Sequence, residues 1–200
     1  VEKLLLAKSH SLTKSRNKII PNFEKEIINL LMTLGMPHAI FKVKMEKSIE
    51  FLKTGMDKVT FEFSSNPGIK EQDISKIASG GEISRLVLAL KFITSAKSGV
   101  KTIIFDEIDT GVSGKIASFM GDLMRKISLK NQLISVTHLP QIASKSKEHI
   151  KVFKTIKNNK TRTEIKILDA EERVVEIARL LSGKRISDAA ITNAKELLNQ

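Results

Sequence analysis

Two short motifs contain residues whose types and spacing could support chemistry on a phosphorylated substrate. In the first, Asp106 and Glu107 follow the apolar run Thr102–Phe105, which has the composition of a buried strand. Open α/β sheets bind ligands at the carboxyl ends of their strands. There one carboxylate can hold Mg²⁺, and the next can orient or deprotonate an attacking water. A solvated acidic strand end is the weaker interpretation, because adjacent carboxylates repel each other without a cation.

The second motif is Ser79-Gly80-Gly81-Glu82, directly before a predicted helix. Glycines let the backbone approach a phosphate closely, and the N–H groups at a helix start favour an anion. The same Ser-x-x-Glu spacing also forms a capping box, which needs no ligand. Taken alone, the motif favours capping. The acid pair shifts the balance toward a phosphate site.

His138 follows the next apolar strand, Gln132–Val136. In a parallel sheet it would lie near the same edge as the acids, within reach of a γ-phosphate, although an isolated histidine here is more often an ordinary turn residue. A phosphate loop of the form G-x-x-x-x-G-K-[ST] is absent from the sequence. Residues 111–116 resemble one, but Asp109 replaces its first glycine and Ile116 its hydroxyl residue.

Hydrophobic periodicity predicts the elements that position these residues. Apolar heptad positions at Leu5, Leu12 and Ile19 indicate the end of a coiled-coil arm within residues 1–35, followed by an amphipathic helix docked on a globular body. Pro21 should break or kink this helix, or begin a second one. Two ordinary surface helices are the alternative. Because the chain opens inside this helical pattern, we expect it to be a fragment.

The rest of the chain, residues 36–200, reads as an α/β lobe. Apolar strands that alternate with helices predict a mostly parallel sheet covered on both faces. The predicted elements are an antiparallel pair (Ala39–Glu46 and Lys58–Phe63), a loop (Ile69–Ala78), a helix after the glycines, strand Thr102–Phe105, helix Ser113–Ile127, strand Gln132–Val136, a hairpin (Ile150–Ile167) turning at Asn158-Asn159, and helices Ala170–Leu181 and Asp188–Leu198.

Composition narrows the classes of function. The 41% hydrophobic content is enough to close a core, and the absence of cysteine excludes disulfides and thiolate metal sites. No apolar run reaches the length of a membrane span. The net charge of +12 favours work near a polyanion, although basic residues are spread over every segment. Lys154, Lys157 and Lys160 of the hairpin are candidate DNA contacts, or they protect an edge strand from pairing.

The glycine motif, the acid pair and the residues that follow the two apolar strands resemble motifs of ABC-type ATPases. Residues 79–82 look like the signature motif, 103–107 like the Walker B strand, 108–111 like the D-loop, and His138 like the switch histidine. Within that superfamily, segments 78–85, 105–114 and 136–143 closely resemble the RecN family, SMC-like ATPases of bacterial DNA double-strand-break repair. The resemblance covers nearly the whole chain. It implies the C-terminal lobe of an ATPase head.

The resemblance assigns a role to each motif. Ser79, Gly80, Gly81 and Glu82 would contact the γ-phosphate of ATP held by an opposing head. Asp106 would support Mg²⁺ and Glu107 would activate water. Asp109 would couple the two sites of a head dimer, and His138 would sense the γ-phosphate.

The resemblance also implies partners. They are an N-terminal half of the same head, carrying the phosphate loop, then a second head and DNA, in a cytoplasmic, nucleoid-associated protein without membrane contact. ATPase activity would require that the N-terminal half completes the head and that two complete heads dimerise. A non-catalytic fragment that binds DNA or a protein through its basic surface is the alternative. A transporter subunit is disfavoured by the coiled-coil start.

Overall fold

The computed structural model describes residues 1–68, 70–77, 79–157, 160–183 and 185–199, without the side chain of residue 157. The chain divides into two compact units, Val1–Thr94 and Ser95–Gln200. The first helix packs against the first two strands within the first unit. The expected division into a helical segment 1–35 and a lobe 36–200 stays a prediction.

The first unit begins with one long helix, α1 (Glu2–Thr33), which continues through Pro21. The predicted helix break and second helix start at this proline are therefore wrong. A proline inside a helix costs about 3 kcal/mol. Beyond it, the side chains of Ile27 and Leu31 are fully buried. Burial of each such side chain contributes roughly 1.5–3 kcal/mol, which offsets the cost of the proline.

Helix α1 ends at Thr33, and Gly35 follows its C-cap residue Leu34. This glycine has a left-handed backbone (φ 81°). Its N–H bonds to the Met32 carbonyl at 3.2 Å, and the Met36 N–H bonds to the Leu31 carbonyl at 2.9 Å. This pair of bonds is a Schellman motif, and glycine adopts the required conformation without a steric penalty.

Three antiparallel strands follow, in the order β1-β2-β3. They are β1 (Ile40–Leu52), β2 (Gly55–Ser64) and the short β3 (Gln72–Asp73). The predicted β1–β2 pair is confirmed, with Phe41 opposite Phe63. Both rings are buried, and Phe23 of α1 meets Phe41 edge-on at 5.9 Å between ring centroids. The alternating aromatic residues thus anchor the sheet to the helix.

A 3₁₀ turn (Ile74–Lys76) and helix α2 (Gly80–Ser95) follow the sheet. The segment predicted as a loop, 69–78, therefore contains β3 and this turn, while Ile69 and Ala78 lie outside the described residues. On α2, Leu86, Leu88 and Ala89 are buried.

The second unit contains a parallel pair of strands, β4 (Thr102–Asp106) and β5 (Gln132–Val136), joined by α3 (Gly114–Ser128). Ile103 and Phe105 of β4 are buried. The alternate positions are exposed: Ile104 by 65%, Ile134 by 45% and Val136 by 51%. One face of this pair is therefore covered and the other is open, whereas the sequence predicted two covered faces.

The chain then forms α4 (Pro140–Ala143), a hairpin of β6 (Ile150–Lys157) and β7 (Lys160–Ile167), and helices α5 (Ala170–Ser182) and α6 (Asp188–Leu198). The predicted turn at Asn158-Asn159 lies outside the described residues. Asp169 and Glu172 form a reciprocal capping box that begins α5. A small apolar core joins α4, α5 and α6; its buried members are Ala143, Ile177, Ala178, Ala190 and Ala194.

The predicted α/β class is confirmed. The expectation of a mostly parallel sheet holds only for β4–β5, since the other strand pairings among the described residues are antiparallel. The physical reason is connection length: two residues separate β1 from β2 and β6 from β7, which permits only antiparallel pairing, while β4 and β5 are joined by a helix. No helix in the described part of the chain is long and apolar enough to cross a bilayer.

Candidate functional site

The acid pair lies at the carboxyl end of β4, as the sequence predicts. Asp106 pairs in register with Val136, the last residue of β5. Both Asp106 and Glu107 are exposed. Because side chains alternate along a strand, Asp106 shares the open face of the pair with Ile104 and Val136. A ligand held by Asp106 would therefore contact the uncovered side of this sheet.

Glu107 has a left-handed backbone, with φ at 46°. A non-glycine residue in this region carries strain of about 1–3 kcal/mol and persists only where its surroundings enforce it. The Glu107 N–H donates to the Val136 carbonyl at 3.2 Å. The Glu107 carbonyl accepts from Thr110 Oγ1 at 2.9 Å. These bonds hold the peptide groups on both sides of Glu107 and so constrain its backbone.

Asp109, the predicted D-loop residue, is almost entirely buried, with 1% of its surface exposed. Its Oδ2 accepts a hydrogen bond from Thr137 Oγ1. That hydroxyl in turn accepts from the Leu139 N–H at 3.0 Å. The role predicted for Asp109, coupling the two sites of a head dimer, stays a prediction. In this chain its carboxylate faces inward.

His138 is exposed and follows β5 directly after Thr137. Because β4 and β5 are parallel, their carboxyl ends meet at one edge of the sheet. Asp106, Glu107 and His138 are therefore together at that edge. The residues there can supply a carboxylate for a metal ion, a second carboxylate for water and an imidazole.

The glycine motif belongs to the first unit. Ser79 directly precedes α2, and its carbonyl accepts from the Ile83 N–H at 3.2 Å. A Cβ at Gly80 would meet no atom within 4 Å outside its chain neighbours and the backbone of its own helix turn. Ser79 and Gly80 are exposed, whereas Gly81 and Glu82 are half-buried. The motif is thus a helix start with an accessible backbone, which suits an anion.

Arg85 ties this helix start to the end of α1. Its Nε donates to the Gly81 carbonyl at 3.1 Å and its Nη1 to the Leu34 carbonyl, also at 3.1 Å. A guanidinium at the end of α1 also complements the helix dipole. Sequence reasoning missed this contact, because it joins residues 51 positions apart.

The three hairpin lysines do not share one face. Lys154 lies opposite Thr163, and Lys157 opposite Lys160. Opposite residues share a face and neighbours alternate, so Lys154 projects on the same side as Val152, and Lys160 on the other. The side chain of Lys157 lies outside the described residues.

Whether the sheet edge that carries Asp106 and Glu107 suits Mg²⁺ depends on the oxygen donors that it offers. No group of three or more histidine or acidic side chains able to hold a metal occurs in the described ranges. Asp106 offers one exposed carboxylate. Mg²⁺ at phosphate sites takes one or two carboxylates and completes its shell with phosphate oxygens and waters. The residues therefore fit Mg²⁺ that arrives with a nucleotide.

Comparison with solved structures identifies the fold. No family model matches the chain. One similar chain comes from work on ATP-driven dimerization and DNA-stimulated activation of SMC ATPases; it has a TM-score of 0.56 at 17% identity, covering 87% of this chain and 99% of that one. The Smc head domain with a coiled coil and joint from Pyrococcus yayanosii has a TM-score of 0.59 at 21% identity, covering 82% of this chain and 29% of that one. The fold is that of an SMC ATPase head lobe.

Comparison with curated proteins then identifies similar sequences. DNA repair protein RecN of Vibrio cholerae is 42% identical over 194 residues, 96% of this chain and 35% of that protein. RecN of Rickettsia prowazekii is 44% identical over 177 residues, 88% of this chain and 32% of that protein. Over most of its length, the chain is therefore similar to RecN. It spans about a third of the length of the curated relatives it matches.

Proposed function

We propose that this chain is the C-terminal portion of an SMC-like ATPase head that acts in the repair of DNA double-strand breaks. The observation that carries the proposal is the edge of β4–β5, where Asp106, Glu107 and His138 all lie exposed at the carboxyl ends of the two strands. The similarity to RecN over nearly the whole chain supports the same function. The substrate is ATP.

Each residue at the edge has a task in ATP hydrolysis. Asp106 would hold Mg²⁺, which neutralises charge on the phosphates when bound. Glu107 orients the attacking water and accepts its proton. His138 donates a hydrogen bond to the γ-phosphate and so senses its presence. The accessible backbone at Ser79 and Gly80 binds the γ-phosphate of ATP on an opposing head.

The chain needs a partner segment for this reaction. It has no phosphate loop of its own, and apolar Ile104, Ile134 and Val136 are exposed beside Asp106. Exposed apolar surface of this kind is favourably covered by another segment. We propose that an N-terminal half of the same head carries the phosphate loop and covers this face. ATP would then drive dimerisation of two complete heads that hold or bridge DNA, in the cytoplasm and at the nucleoid.

The test compares the chain alone with the full-length protein that contains it. The chain alone should show negligible ATPase activity, and the full-length protein should hydrolyse ATP. Glu107→Gln in the full-length protein should lower kcat by about 100-fold or more and prolong ATP-bound dimers, measured by light scattering. Glu196→Gln, at an exposed position on α6, is the matched control and should leave both unchanged.

Two outcomes would contradict the proposal. One is robust turnover by the chain alone that Glu107→Gln abolishes, because the chain would then not need a second half. The other is a full-length protein that binds DNA but hydrolyses no ATP. That result would favour a non-catalytic binding module, which the net charge of +12 also supports.

A further inference from the structure

A buried carboxylate lies directly beyond the acid pair. Asp109 is 1% exposed, and its Oδ1 has no hydrogen-bond partner among the described residues. A buried polar atom without a partner costs roughly 1–3 kcal/mol. Apolar residues often replace buried charges without loss of stability. Packing alone therefore does not account for an aspartate at this position.

The other oxygen of this carboxylate joins two loops. Asp109 belongs to the loop after β4, and Thr137, its hydrogen-bond donor, begins the loop after β5. The Thr137 hydroxyl also accepts from the Leu139 N–H at 3.0 Å. One hydroxyl thus connects the loop that starts with Glu107 to the loop that contains His138.

The same two loops are fastened at a second point. The Glu107 N–H donates to the Val136 carbonyl at 3.2 Å. Glu107 is the described non-glycine residue with a positive φ, 46°. Such a strained residue requires surroundings that enforce its conformation. Together, the Glu107–Val136 and Asp109–Thr137 bonds close the segment 107–109 against the end of β5.

We propose that Asp109 and Thr137 are a positioning pair for hydrolysis. Their buried hydrogen bond holds the loop after β4 against the loop after β5, and this maintains the left-handed backbone that aims the Glu107 carboxylate. Neither side chain needs to touch ATP, and the pair acts through Glu107. The inference rests on the proposed ATPase function, and it gives Asp109 a task within its own head.

The test uses the full-length protein and three substitutions of threonine. Thr137→Val keeps the volume and removes the hydroxyl, whereas Thr137→Ser keeps the hydroxyl and removes the methyl group. Thr102→Val is the matched control, because Thr102 Oγ1 donates to Gln132 Oε1 at 2.9 Å across the opposite end of the same strands. The measurements are kcat, KM, the thermal midpoint, and hydrogen exchange at the Glu107 amide.

We expect Thr137→Val to lower kcat by about 10-fold to 100-fold, because small misplacements of a catalytic group are costly. KM should change by less than about threefold, since the pair does not bind ATP. The Glu107 amide should exchange faster. Thr137→Ser and Thr102→Val should keep wild-type kcat and wild-type exchange at Glu107.

Unchanged kcat in a folded Thr137→Val protein overturns the inference, as does equal loss of kcat in Thr137→Ser and Thr137→Val. If Thr137→Val does not melt cooperatively, Thr137→Ser decides: wild-type kcat supports the pair, and a loss of about 10-fold contradicts it. A wild-type protein without ATPase activity contradicts the proposed function instead. Exchange at Glu107 then still reports whether the hydroxyl holds the loop.

Discussion

Arg16 of α1 and Asp57 of β2 form an ion pair, with 2.7 Å between Nη1 and Oδ2. The Asp57 side chain is 6% exposed. Its other oxygen accepts from Thr13 Oγ1 at 2.7 Å, and Arg16 Nη2 also donates to the Thr54 carbonyl at 2.8 Å. The carboxylate therefore links the first half of α1 to the end of the β1–β2 hairpin where the two strands are connected. In a head that carries a coiled-coil arm, this contact would set the direction of the arm.

Removing the charge of Asp57 should weaken this attachment. We expect Asp57→Asn to lower the free energy of unfolding by about 1–3 kcal/mol, because the Arg16 guanidinium loses its charged acceptor. Glu46→Gln is the control: Glu46 forms an ion pair with Lys44, and both side chains are about half exposed. Such surface pairs contribute roughly 0–1 kcal/mol. Urea denaturation of the three proteins measures the difference, and equal losses would contradict a structural role for Asp57.

The contacts of the Glu176 carboxylate predict how the stability of the folded protein depends on pH. Burial alone would raise the pKa of Glu176, but hydrogen bonds from Arg179 and Lys151 outweigh burial and hold the pKa below its usual value. A carboxyl group with a depressed pKa stabilises the folded state above its unfolded pKa, near 4.3. That contribution is lost as the pH falls through the lower, folded-state pKa.

Denaturant unfolding at a series of acidic pH values measures this effect. The wild-type protein should lose stability as the pH falls below about 4.3. Glu176→Gln should be less stable at neutral pH and should show a shallower loss in acid. The control Glu196→Gln should follow the wild-type curve. An acid dependence unchanged by Glu176→Gln would assign the effect to other carboxylates.

Gly121 should be required for packing. It lies in the middle of α3, and an added Cβ would stand 2.9 Å from the Gln141 carbonyl oxygen and 3.4 Å from Ile142 Cα. Both atoms belong to the backbone of α4, which cannot move away cheaply. Gly121→Ala should therefore lower the free energy of unfolding by about 1–3 kcal/mol, although alanine favours helix by about 1 kcal/mol. A stability gain in thermal melting would contradict this close approach.

Replacing Gly80 with alanine should not destabilise the fold, in contrast to the same change at Gly121. A Cβ there meets nothing within 4 Å, and the residue has no positive φ, so the fold of this chain does not need a glycine. We expect Gly80→Ala to leave the thermal midpoint unchanged or slightly raised. If a phosphate approaches this backbone, the same change should weaken ATP-dependent head dimerisation in the full-length protein. Wild-type dimerisation would favour the alternative in which the motif only caps a helix.

The elements that sequence reasoning predicted well depend on local signals. Strand Gln132–Val136 and helix Asp188–Leu198 have their predicted bounds, because short apolar runs, capping residues and glycines act over a few positions. The acid edge followed from the same local patterns. Contacts between distant residues could not be predicted: Arg16 and Asp57 are 41 positions apart, and Asp109 and Thr137 are 28 apart. The break predicted at Pro21 does not occur, because packing of α1 on both sides of the proline outweighs its local preference.

The distribution of charged and apolar residues on the β6–β7 hairpin predicts which of its faces would contact DNA. Lys160 and Arg162 are exposed, and because alternate residues share a face they project on the same side of β7. Lys154 projects on the other side, which also carries Ile150, 53% exposed, and Ile165, 71% exposed. Apolar residues do not attract phosphates, so the basic side is the one suited to DNA.

Substitutions on the two faces of the β6–β7 hairpin test which face contacts DNA. Replacing Lys160 and Arg162 with glutamine should weaken DNA binding and reduce the slope of log Kd against log salt by about 2, since each phosphate contact contributes roughly 0.9. Lys154→Gln should leave the slope unchanged. Fluorescence anisotropy of labelled DNA over a salt series measures both. If neither variant changes the slope and both aggregate more readily, the lysines protect an edge strand instead, because charged residues there block pairing with other chains.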